Sequence, residues 1–295
     1  MKMFFGPSGS ATAVITPMKC NMAIHYKRFA QQLMRQKTAG VGGVVVCGTT
    51  GESASLTDRE RQRLVETAKN VMGDIPVVAG AGSNDTRKAV ALAQKMEKAG
   101  ADALLVVTPY YNRPPQRGIL LHYQRIAEAV QIPLIAYTVP SRTGVDIEPD
   151  TYAQLSRLPH VVGVKEASGD AQKVKKILEV TAEGFEVFCG CDALLPQYFE
   201  QGASGAISVA GNIIPEAVGR ICEKGVSGDR TGCEEEYQRI ARVIRVLGCD
   251  VNPIPIKEAM RLMGTDNGKC RLPLCRMATG HRLHLEQVLR SMNLL

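Results

Sequence analysis

The sequence predicts an α/β protein, a closed (β/α)8 barrel of the TIM type followed by a C-terminal helical region. Eight short segments, most of them rich in Val, Ile, Leu or Ala, alternate along the chain with helical patterns. Such alternation is typical of parallel strands that are buried on both faces. No glycine-rich phosphate fingerprint follows the first strand, as it often does in an open doubly wound sheet. Eight strands in alternation therefore favour a closed barrel.

The strand segments are short and mostly apolar, as expected of buried strands. In chain order we predict them at Ser10–Thr16, Gly43–Cys47, Pro76–Ala79, Ala103–Val107, Pro133–Thr138, Val161–Glu166, Phe185–Cys189 and Gly205–Val209.

Helical patterns fill the intervals between the strands, and Thr57 with Glu60 forms a capping box before one of them. We predict these helices at His25–Lys37, Asp58–Met72, Thr86–Ala99, Gly118–Val130, Pro149–Ser156, Ala171–Val180 and Ala193–Gln201. After residue 214 the pattern is purely helical, with segments at Glu216–Lys224, Thr231–Val246, Ile256–Met263 and Gly280–Met292. We therefore predict a catalytic barrel domain over residues 1–214 and a helical region over residues 215–295, with no Ser/Gly-rich linker between them.

Composition excludes several classes of function. Hydrophobic residues make up 45% of the 295 residues, which is ordinary for a globular protein. No apolar run reaches the ~18 residues of a membrane helix, and the first seven residues are too short and too soon broken for a secretory signal. The formal charge of +7 is spread along the chain without a basic block, which argues against nucleic-acid binding. We expect a cytoplasmic protein without membrane or nucleic-acid partners.

Cysteine and histidine spacing gives no metal or disulfide signature. The nine cysteines are an odd number and are scattered, so a disulfide framework is not expected. Cys189 and Cys191 are separated by one residue rather than the two of common zinc sites. His281 and His284 have no acidic or cysteine partner in helical register. We expect no metal site.

Lys165 closes the apolar run Val161–Val164 and is the most informative residue of the chain. Burial disfavours the charged form of a lysine, and a neutral amine is the nucleophile that Schiff-base formation with a carbonyl substrate needs. On this strand alone, a lysine that extends to solvent or pairs with a carboxylate is the more frequent arrangement. The ends of the other strands favour the nucleophile.

The carboxyl ends of barrel strands carry the active site in this fold, and five of them end in polar or flexible residues. The second strand is followed by Gly48-Thr49-Thr50-Gly51, whose backbone N–H groups and hydroxyls suit a small carboxylate. The phenols of Tyr111 and Tyr137 could pass protons, and Arg142 could hold a second carboxylate with two hydrogen bonds. Each segment alone could also be an ordinary turn or an interface. Together with a buried lysine they predict keto-acid chemistry.

These same segments resemble the dihydrodipicolinate synthase family of the pyruvate-dependent class I aldolases. The resemblance runs from Ala13-Val14-Ile15-Thr16-Pro17 to Arg271-Leu272-Pro273-Leu274. Its most specific motifs are Gly48-Thr49-Thr50-Gly51-Glu52, Pro109-Tyr110-Tyr111-Asn112, Pro140-Ser141-Arg142-Thr143-Gly144, Gly163-Val164-Lys165-Glu166-Ala167 and Asn252-Pro253-Ile254-Pro255-Ile256-Lys257.

The resemblance implies an enzyme that condenses pyruvate with L-aspartate 4-semialdehyde on the path to diaminopimelate and lysine. Lys165 would form the imine with pyruvate, and Tyr137, Thr49 and Tyr111 would form a hydroxyl relay, with Tyr111 reaching in from a neighbouring subunit. The other implied contacts are Thr50 on the pyruvate carboxylate, Ile207 lining the pocket and Arg142 on the semialdehyde carboxylate. A homotetramer is implied, and no metal or organic cofactor is needed.

Two positions depart from the family pattern. Thr138 stands where the family usually has asparagine, and Cys191 stands where it has an acidic or amide residue, although Asp192 follows. Neither change removes a catalytic group.

Some relatives are inhibited by lysine, which binds in a cleft between subunits. The corresponding positions here are Ser53, Ala54, Asp58, Arg61, Asn84, Lys88 and Tyr110. Sensitive enzymes carry a glutamate at the position of Lys88 and histidines at those of Asp58 and Arg61. Because Lys88 and Arg61 would repel the ammonium groups of lysine, we predict an enzyme that lysine does not inhibit.

Two alternatives remain at the level of sequence. A sialic-acid lyase or sugar-acid aldolase of the same superfamily would share the lysine and the tyrosine, but such lyases generally lack an arginine at the position of Arg142. A catalytically silent barrel acting as a binding module would be expected to have lost part of the relay, yet Lys165, Tyr137, Thr49 and Tyr111 are all present.

Overall fold

The computed structural model describes residues 4–295 and has eight parallel strands that close into a barrel in sequential order. The strands are β1 (Ser10–Ala13), β2 (Gly43–Val46), β3 (Val77–Gly80), β4 (Ala103–Val107), β5 (Leu134–Thr138), β6 (Val161–Glu166), β7 (Glu186–Cys189) and β8 (Gly205–Ser208). The barrel closes through pairing of β1 with β8, in which Ala11 is opposite Ile207. The predicted fold class is confirmed. Residues 1–3, which begin the predicted barrel domain and its N-terminal segment, lie outside the described residues.

Helices follow the strands and form the outer layer. They are α1 (Tyr26–Thr38), α2 (Asp58–Met72), α3 (Thr86–Lys98), α4 (Gln116–Ala127), α5 (Pro140–Thr143), α6 (Pro149–Leu155), α7 (Gln172–Val180), α8 (Leu195–Glu200), α9 (Pro215–Ser227), α10 (Arg230–Leu247), α11 (Ile254–Leu262) and α12 (Thr279–Ser291). The capping box of Thr57 and Glu60 is present at the start of α2. Among residues 4–295, no helix combines the length and the hydropathy needed to cross a membrane.

Alternate residues of each strand serve two separate cores. One set points into the barrel and includes Ala11, Val45, Ile135 and Phe188. The other set packs against the helices in a larger outer core. The first set includes Tyr137 and Ile207, so the period-2 alternation of strand side chains places both inside the barrel.

One of the helices after residue 214 packs directly on the barrel strands. α9 contacts β1 and β8, and so occupies the place of the eighth barrel helix. α10, α11 and α12 contact one another, and α10 also packs on α9 and α8. The division at residue 214 stays a prediction, and this packing favours a boundary after Ser227.

Candidate active site

Lys165 and Tyr137 lie side by side at the carboxyl end of the barrel. They are opposite each other in the pairing of β5 with β6. Both are almost fully buried, and the Lys165 Nζ atom lies 4.7 Å from the centre of the Tyr137 ring. An amine over an aromatic face is within the range of a cation–π contact when it is charged. The amine and the aromatic ring that carries the phenol are therefore buried neighbours at this end of the barrel.

Gly190 makes room for the lysine. A Cβ atom at this position would lie 2.9 Å from the Lys165 Cε atom and 2.7 Å from the Ala167 Cβ atom. A side chain at residue 190 would therefore displace Lys165. The sequence does not reveal this role, because Gly190 directly follows β7 and meets the end of β6 only in the folded barrel.

Glu166 follows Lys165 but points to the other side of β6. It is fully buried, and its Oε2 atom accepts a hydrogen bond of 2.5 Å from the Tyr198 hydroxyl. Lys173 Nζ lies 3.7 Å from Glu166 Oε1 and 2.5 Å from Asp146 Oδ1. A buried carboxylate needs such charged and hydrogen-bonded partners. These partners hold the outer face of β6 beneath the lysine.

Thr138 belongs to this outer network and not to the barrel interior. It is opposite Glu166 in the β5–β6 pairing, and its hydroxyl donates to Asp146 Oδ1 over 2.9 Å. The departure from the family pattern at residue 138 therefore changes the support behind the site rather than the wall of the pocket.

Cys191 and Asp192 follow β7 at the same end of the barrel. Burial raises the pKa of the Cys191 thiol to about 11, so it stays protonated at neutral pH. Asp192 Oδ2 accepts hydrogen bonds from the backbone N–H groups of Val209 (2.9 Å) and Ala210 (2.8 Å). Burial also raises the pKa of Asp192. Asp192 thus fixes the segment that follows β8, the strand in which Ile207 is fully buried inside the barrel.

Thr49 and Thr50 occupy the turn after β2. Thr49 and Tyr137 line one small cavity of about 30 Å³, and Thr49 also lines a larger cavity of about 370 Å³ at the mouth of the barrel. Thr50 is buried, and its hydroxyl lies 3.0 Å from Asn252 Nδ2, which donates to it. Gly51 packs against backbone: an added Cβ would lie 3.1 Å from the Cys47 nitrogen.

A buried ion pair anchors this turn from the far end of the chain. Glu52 has a left-handed backbone (φ 58°), and its carboxylate contacts Lys257 Nζ and accepts a 2.8 Å hydrogen bond from the Arg271 N–H. Lys257 is fully buried and also donates to the Thr16 carbonyl over 2.9 Å. The motif around Asn252 and Lys257 therefore fixes the turn that carries Thr49 and Thr50. Sequence reasoning identified this motif but assigned it no role.

Arg142 lies in α5 on the rim of the larger cavity. Its Nη2 atom donates to the Asn252 carbonyl over 3.0 Å, and the rest of its guanidinium faces the open side. The walls of this cavity also include Tyr110, Val107 and Val139. A cation that lines the same cavity as Thr49 is placed to hold an anionic group of a second substrate.

Tyr111 points away from its own barrel. It is 89% exposed and has a left-handed backbone (φ 74°). Neighbouring residues fix its loop, since Asn112 Nδ2 donates to the Asn84 carbonyl (2.8 Å) and Arg113 Nε donates to the Gly144 carbonyl (2.9 Å). The single chain therefore brings together Lys165, Tyr137 and Thr49 but not Tyr111. The proton relay through Tyr111 remains a prediction.

Three of the seven positions compared with a lysine cleft, Ser53, Ala54 and Tyr110, line the larger cavity. Arg61 Nη2 donates to the Ser53 carbonyl over 2.5 Å, and Asp58 Oδ2 lies 2.6 Å from Lys95 Nζ. Asn84 is half-buried and Lys88 is exposed.

Comparison with known proteins agrees with this geometry. The family model described as the dihydrodipicolinate synthetase family matches residues 6–292. A 4-hydroxy-tetrahydrodipicolinate synthase of Methanothrix thermoacetophila is 40% identical, over 97% of each chain.

Two solved structures are also similar. Dihydrodipicolinate synthase of Acinetobacter baumannii, determined in complex with pyruvate, is 36% identical with a TM-score of 0.95, over 97% of this chain and 99% of that one. The DHDPS of Cyanidioschyzon merolae, determined with lysine bound, is 34% identical with a TM-score of 0.95, over the full length of both chains. The chain belongs to the dihydrodipicolinate synthetase family.

Proposed function

We propose that the chain is a 4-hydroxy-tetrahydrodipicolinate synthase, a lyase that condenses pyruvate with L-aspartate 4-semialdehyde in the diaminopimelate branch of lysine biosynthesis. The observation that carries the proposal is the buried Lys165 amine beside the Tyr137 phenol at the carboxyl end of the barrel. Membership of the family supports the same substrates.

The first step forms an imine. The Lys165 amine adds to the ketone carbon of pyruvate, and loss of water leaves a protonated Schiff base. The Tyr137 ring lies 4.7 Å from Nζ, and its phenol would deliver and accept the protons of this step. The buried hydroxyl of Thr50 would bind the pyruvate carboxylate, with Asn252 holding that hydroxyl in place. Ile207 and Gly48 would line the pocket beside it.

The second step forms the carbon–carbon bond. The imine withdraws electrons, so that the pyruvate methyl group loses a proton and becomes an enamine. The enamine carbon attacks the aldehyde of the second substrate, whose carboxylate Arg142 would hold at the rim. The amino group of that substrate then attacks the imine carbon and displaces Lys165, which closes the ring and frees the enzyme. The lysine itself serves as the electron sink, so these steps use no further cofactor.

We propose that the active unit is at least a dimer, and a homotetramer by family expectation. Tyr111 supports this, because it is 89% exposed on a fixed loop and could complete the relay of a neighbouring subunit through Thr49. We expect the enzyme to act in the cytoplasm.

A coupled assay tests the assignment against the lyase alternative. Pyruvate is supplied with L-aspartate 4-semialdehyde in one arm and with N-acetylmannosamine in the other. We expect turnover only with the semialdehyde, because N-acetylmannosamine has no carboxylate for Arg142. Preferred turnover of N-acetylmannosamine would assign the chain to the lyases, and no turnover in either arm would favour the silent barrel.

A further inference from the structure

A separate polar cavity lies outside the barrel, between α1 and the end of α11. Its volume is about 200 Å³, several times what one water molecule needs. It shares no lining residue with either cavity around Thr49. The walls come from one face of α1, from Val14 and Asn212 at the barrel, and from Met260, Gly264 and Thr265 after α11.

Five polar side chains of α1 line this cavity, and four of them follow one side of the helix. Arg28, Gln32, Arg35 and Gln36 are spaced as neighbours on one side of a helix. Gln32 is only 8% exposed, and within residues 4–295 neither its Nε2 nor its Oε1 has a hydrogen-bond partner. The Gln36 Nε2 atom donates to the Gly211 carbonyl over 2.8 Å, but its buried Oε1 atom has no partner in the same part of the chain.

Unsatisfied buried amides are unusual in folded proteins and call for an explanation. A helix face that only packed against α11 would place apolar side chains at positions 32 and 36. Here the buried positions present one free donor and two free acceptors to a cavity. This arrangement fits a ligand that both accepts and donates hydrogen bonds.

The charges around the cavity favour an anion. Arg35 uses one guanidinium nitrogen on the Ile213 carbonyl (2.8 Å), and the Arg28 guanidinium makes no hydrogen bond or ion pair with any of residues 4–295. Asp266 lies near Arg28 but does not line the cavity; burial raises the pKa of its carboxyl, and the charges of Lys257 and then Arg28 oppose that rise. Two arginines therefore line the cavity, and no carboxylate is among its lining residues. Guanidinium forks match the oxygen pairs of carboxylates and phosphates.

We propose that this cavity binds a small oxyanion that also carries a hydroxyl group, the chemistry shared by inorganic phosphate and short hydroxy acids. Arg28 and Arg35 hold the charged oxygens, together with Gln32 Nε2. The ligand hydroxyl donates to the amide oxygens of Gln32 and Gln36. The proposal is independent of the reaction at Lys165.

Isothermal titration calorimetry with inorganic phosphate at constant ionic strength tests the site on the full chain without substrate. We expect one saturable site per chain. Arg28→Gln should weaken binding at least tenfold, since it removes one charge-assisted fork. Lys27→Gln removes the same charge from the exposed neighbouring position of α1 and should leave the affinity unchanged. Gln32→Met keeps the volume but loses both amide atoms, and should also weaken binding at least tenfold.

The outcomes distinguish a specific phosphate site from nonspecific attraction of phosphate by the net charge of the protein. Absence of saturable heat with the unchanged protein, or equal affinity in Arg28→Gln, would overturn the proposal. Equal losses in Arg28→Gln and Lys27→Gln would also overturn it, because they would indicate net charge alone. A chain without the proposed enzyme activity would still give the expected binding result, and Arg28→Gln should keep the condensation rate of the unchanged protein.

Parallel titrations with L-lactate and propionate identify the source of the oxyanion. Tighter binding of lactate than of propionate, lost in Arg28→Gln, would support a hydroxy acid. Binding of phosphate alone would support inorganic phosphate. Equal binding of lactate and propionate through Arg28 would contradict the role of the two amide oxygens.

Discussion

Lys165 and Glu166 are adjacent in sequence and lie on opposite faces of β6. Lys165 faces the barrel interior beside Tyr137, whereas Glu166 faces the helices and accepts from Tyr198. Because strand side chains alternate between faces, Lys165 can react inside the barrel while its neighbour Glu166 supports the strand from outside. The carboxylate next to Lys165 in the sequence is therefore held on the far side of the strand.

Arg142 allows a test of substrate discrimination at the scale of a single residue. Arg142→Ala should weaken transition-state binding of the semialdehyde by about 1.5–3 kcal/mol, or roughly 10- to 150-fold in kcat/KM, because a charge-assisted contact is lost. The apparent KM for pyruvate should change much less, since Arg142 lies at the rim and not beside Lys165. Steady-state kinetics with each substrate varied in turn measure both effects.

Arg142→Lys is the matched control, since it keeps the charge but loses the planar fork. Its kcat/KM for the semialdehyde should lie between that of Arg142→Ala and that of the unchanged enzyme. Equal loss for both substrates in Arg142→Ala would show that Arg142 acts only through its hydrogen bond to the Asn252 carbonyl and the structure of the turn.

The residues with chemical roles were predictable where strand pattern and strand end coincide. The bounds predicted for β4 and β6 match the structure, and Lys165 lies at the end of β6 as expected. The partner of Glu52 was not predictable, because Lys257 is 205 positions away and no local pattern joins them. The burial of Gln32 was also not predictable, since nothing in the sequence distinguishes a buried glutamine from an exposed one.

At the scale of elements, α11 and the turn after β2 are joined by the buried pair of Glu52 and Lys257. Lys257→Met should destabilise the protein by about 3–5 kcal/mol, because it leaves the Glu52 charge buried without its cation. Denaturant unfolding at fixed protein concentration measures the change in the free energy of unfolding. The double change Glu52→Gln with Lys257→Met should recover much of this loss, since no uncompensated charge remains. A loss in the double variant equal to the sum of the two single losses would contradict a coupled pair.

The packing partner of the eighth barrel helix was not predicted from the sequence. The sequence pattern identified a helix at 216–224 but assigned it to the C-terminal region. The structure extends it as α9 and packs it on β1 and β8. A helical period reports only that one face is buried, and it does not report against which element.

For the whole molecule, one buried histidine makes stability depend on pH. Burial lowers the pKa of His122 from 6.5 to about 4. As the pH falls, the His122 side chain therefore becomes protonated in the unfolded chain before it does so in the folded protein. The contribution of neutral His122 to the free energy of unfolding is complete above pH 6.5 and is lost toward pH 4. We expect a loss of about 3 kcal/mol from this group across that range.

Urea unfolding at pH 7 and pH 4.5 measures the effect at fixed protein concentration. The difference in the free energy of unfolding between pH 7 and pH 4.5 should shrink in His122→Gln. It should persist in His284→Gln, because His284 is exposed. An unchanged difference in His122→Gln would show that other groups cause the loss.

Regulation also belongs to the scale of the assembled molecule, and we predict that lysine does not inhibit the enzyme. Asp58 could have attracted an ammonium group of lysine, but its carboxylate lies 2.6 Å from Lys95 Nζ. Lys88 and Arg61 then leave a surplus of positive charge at the compared positions. Two like charges at ~4 Å cost about 4 kcal/mol at an effective dielectric of 20 and about 1 kcal/mol in water. A steady-state titration with L-lysine should show no inhibition below the millimolar range, and half-inhibition at sub-millimolar lysine would disprove this.

The covalent intermediate gives the most direct test of the mechanism. Borohydride added with pyruvate should trap one reduced pyruvate per chain, and peptide mapping should locate it on Lys165. Lys257 is an internal control, because it is also buried but is paired with Glu52, and it should stay unmodified. Lys165→Ala should abolish both trapping and turnover. An adduct on Lys257 or another residue, or full activity in Lys165→Ala, would contradict a Schiff-base mechanism at Lys165.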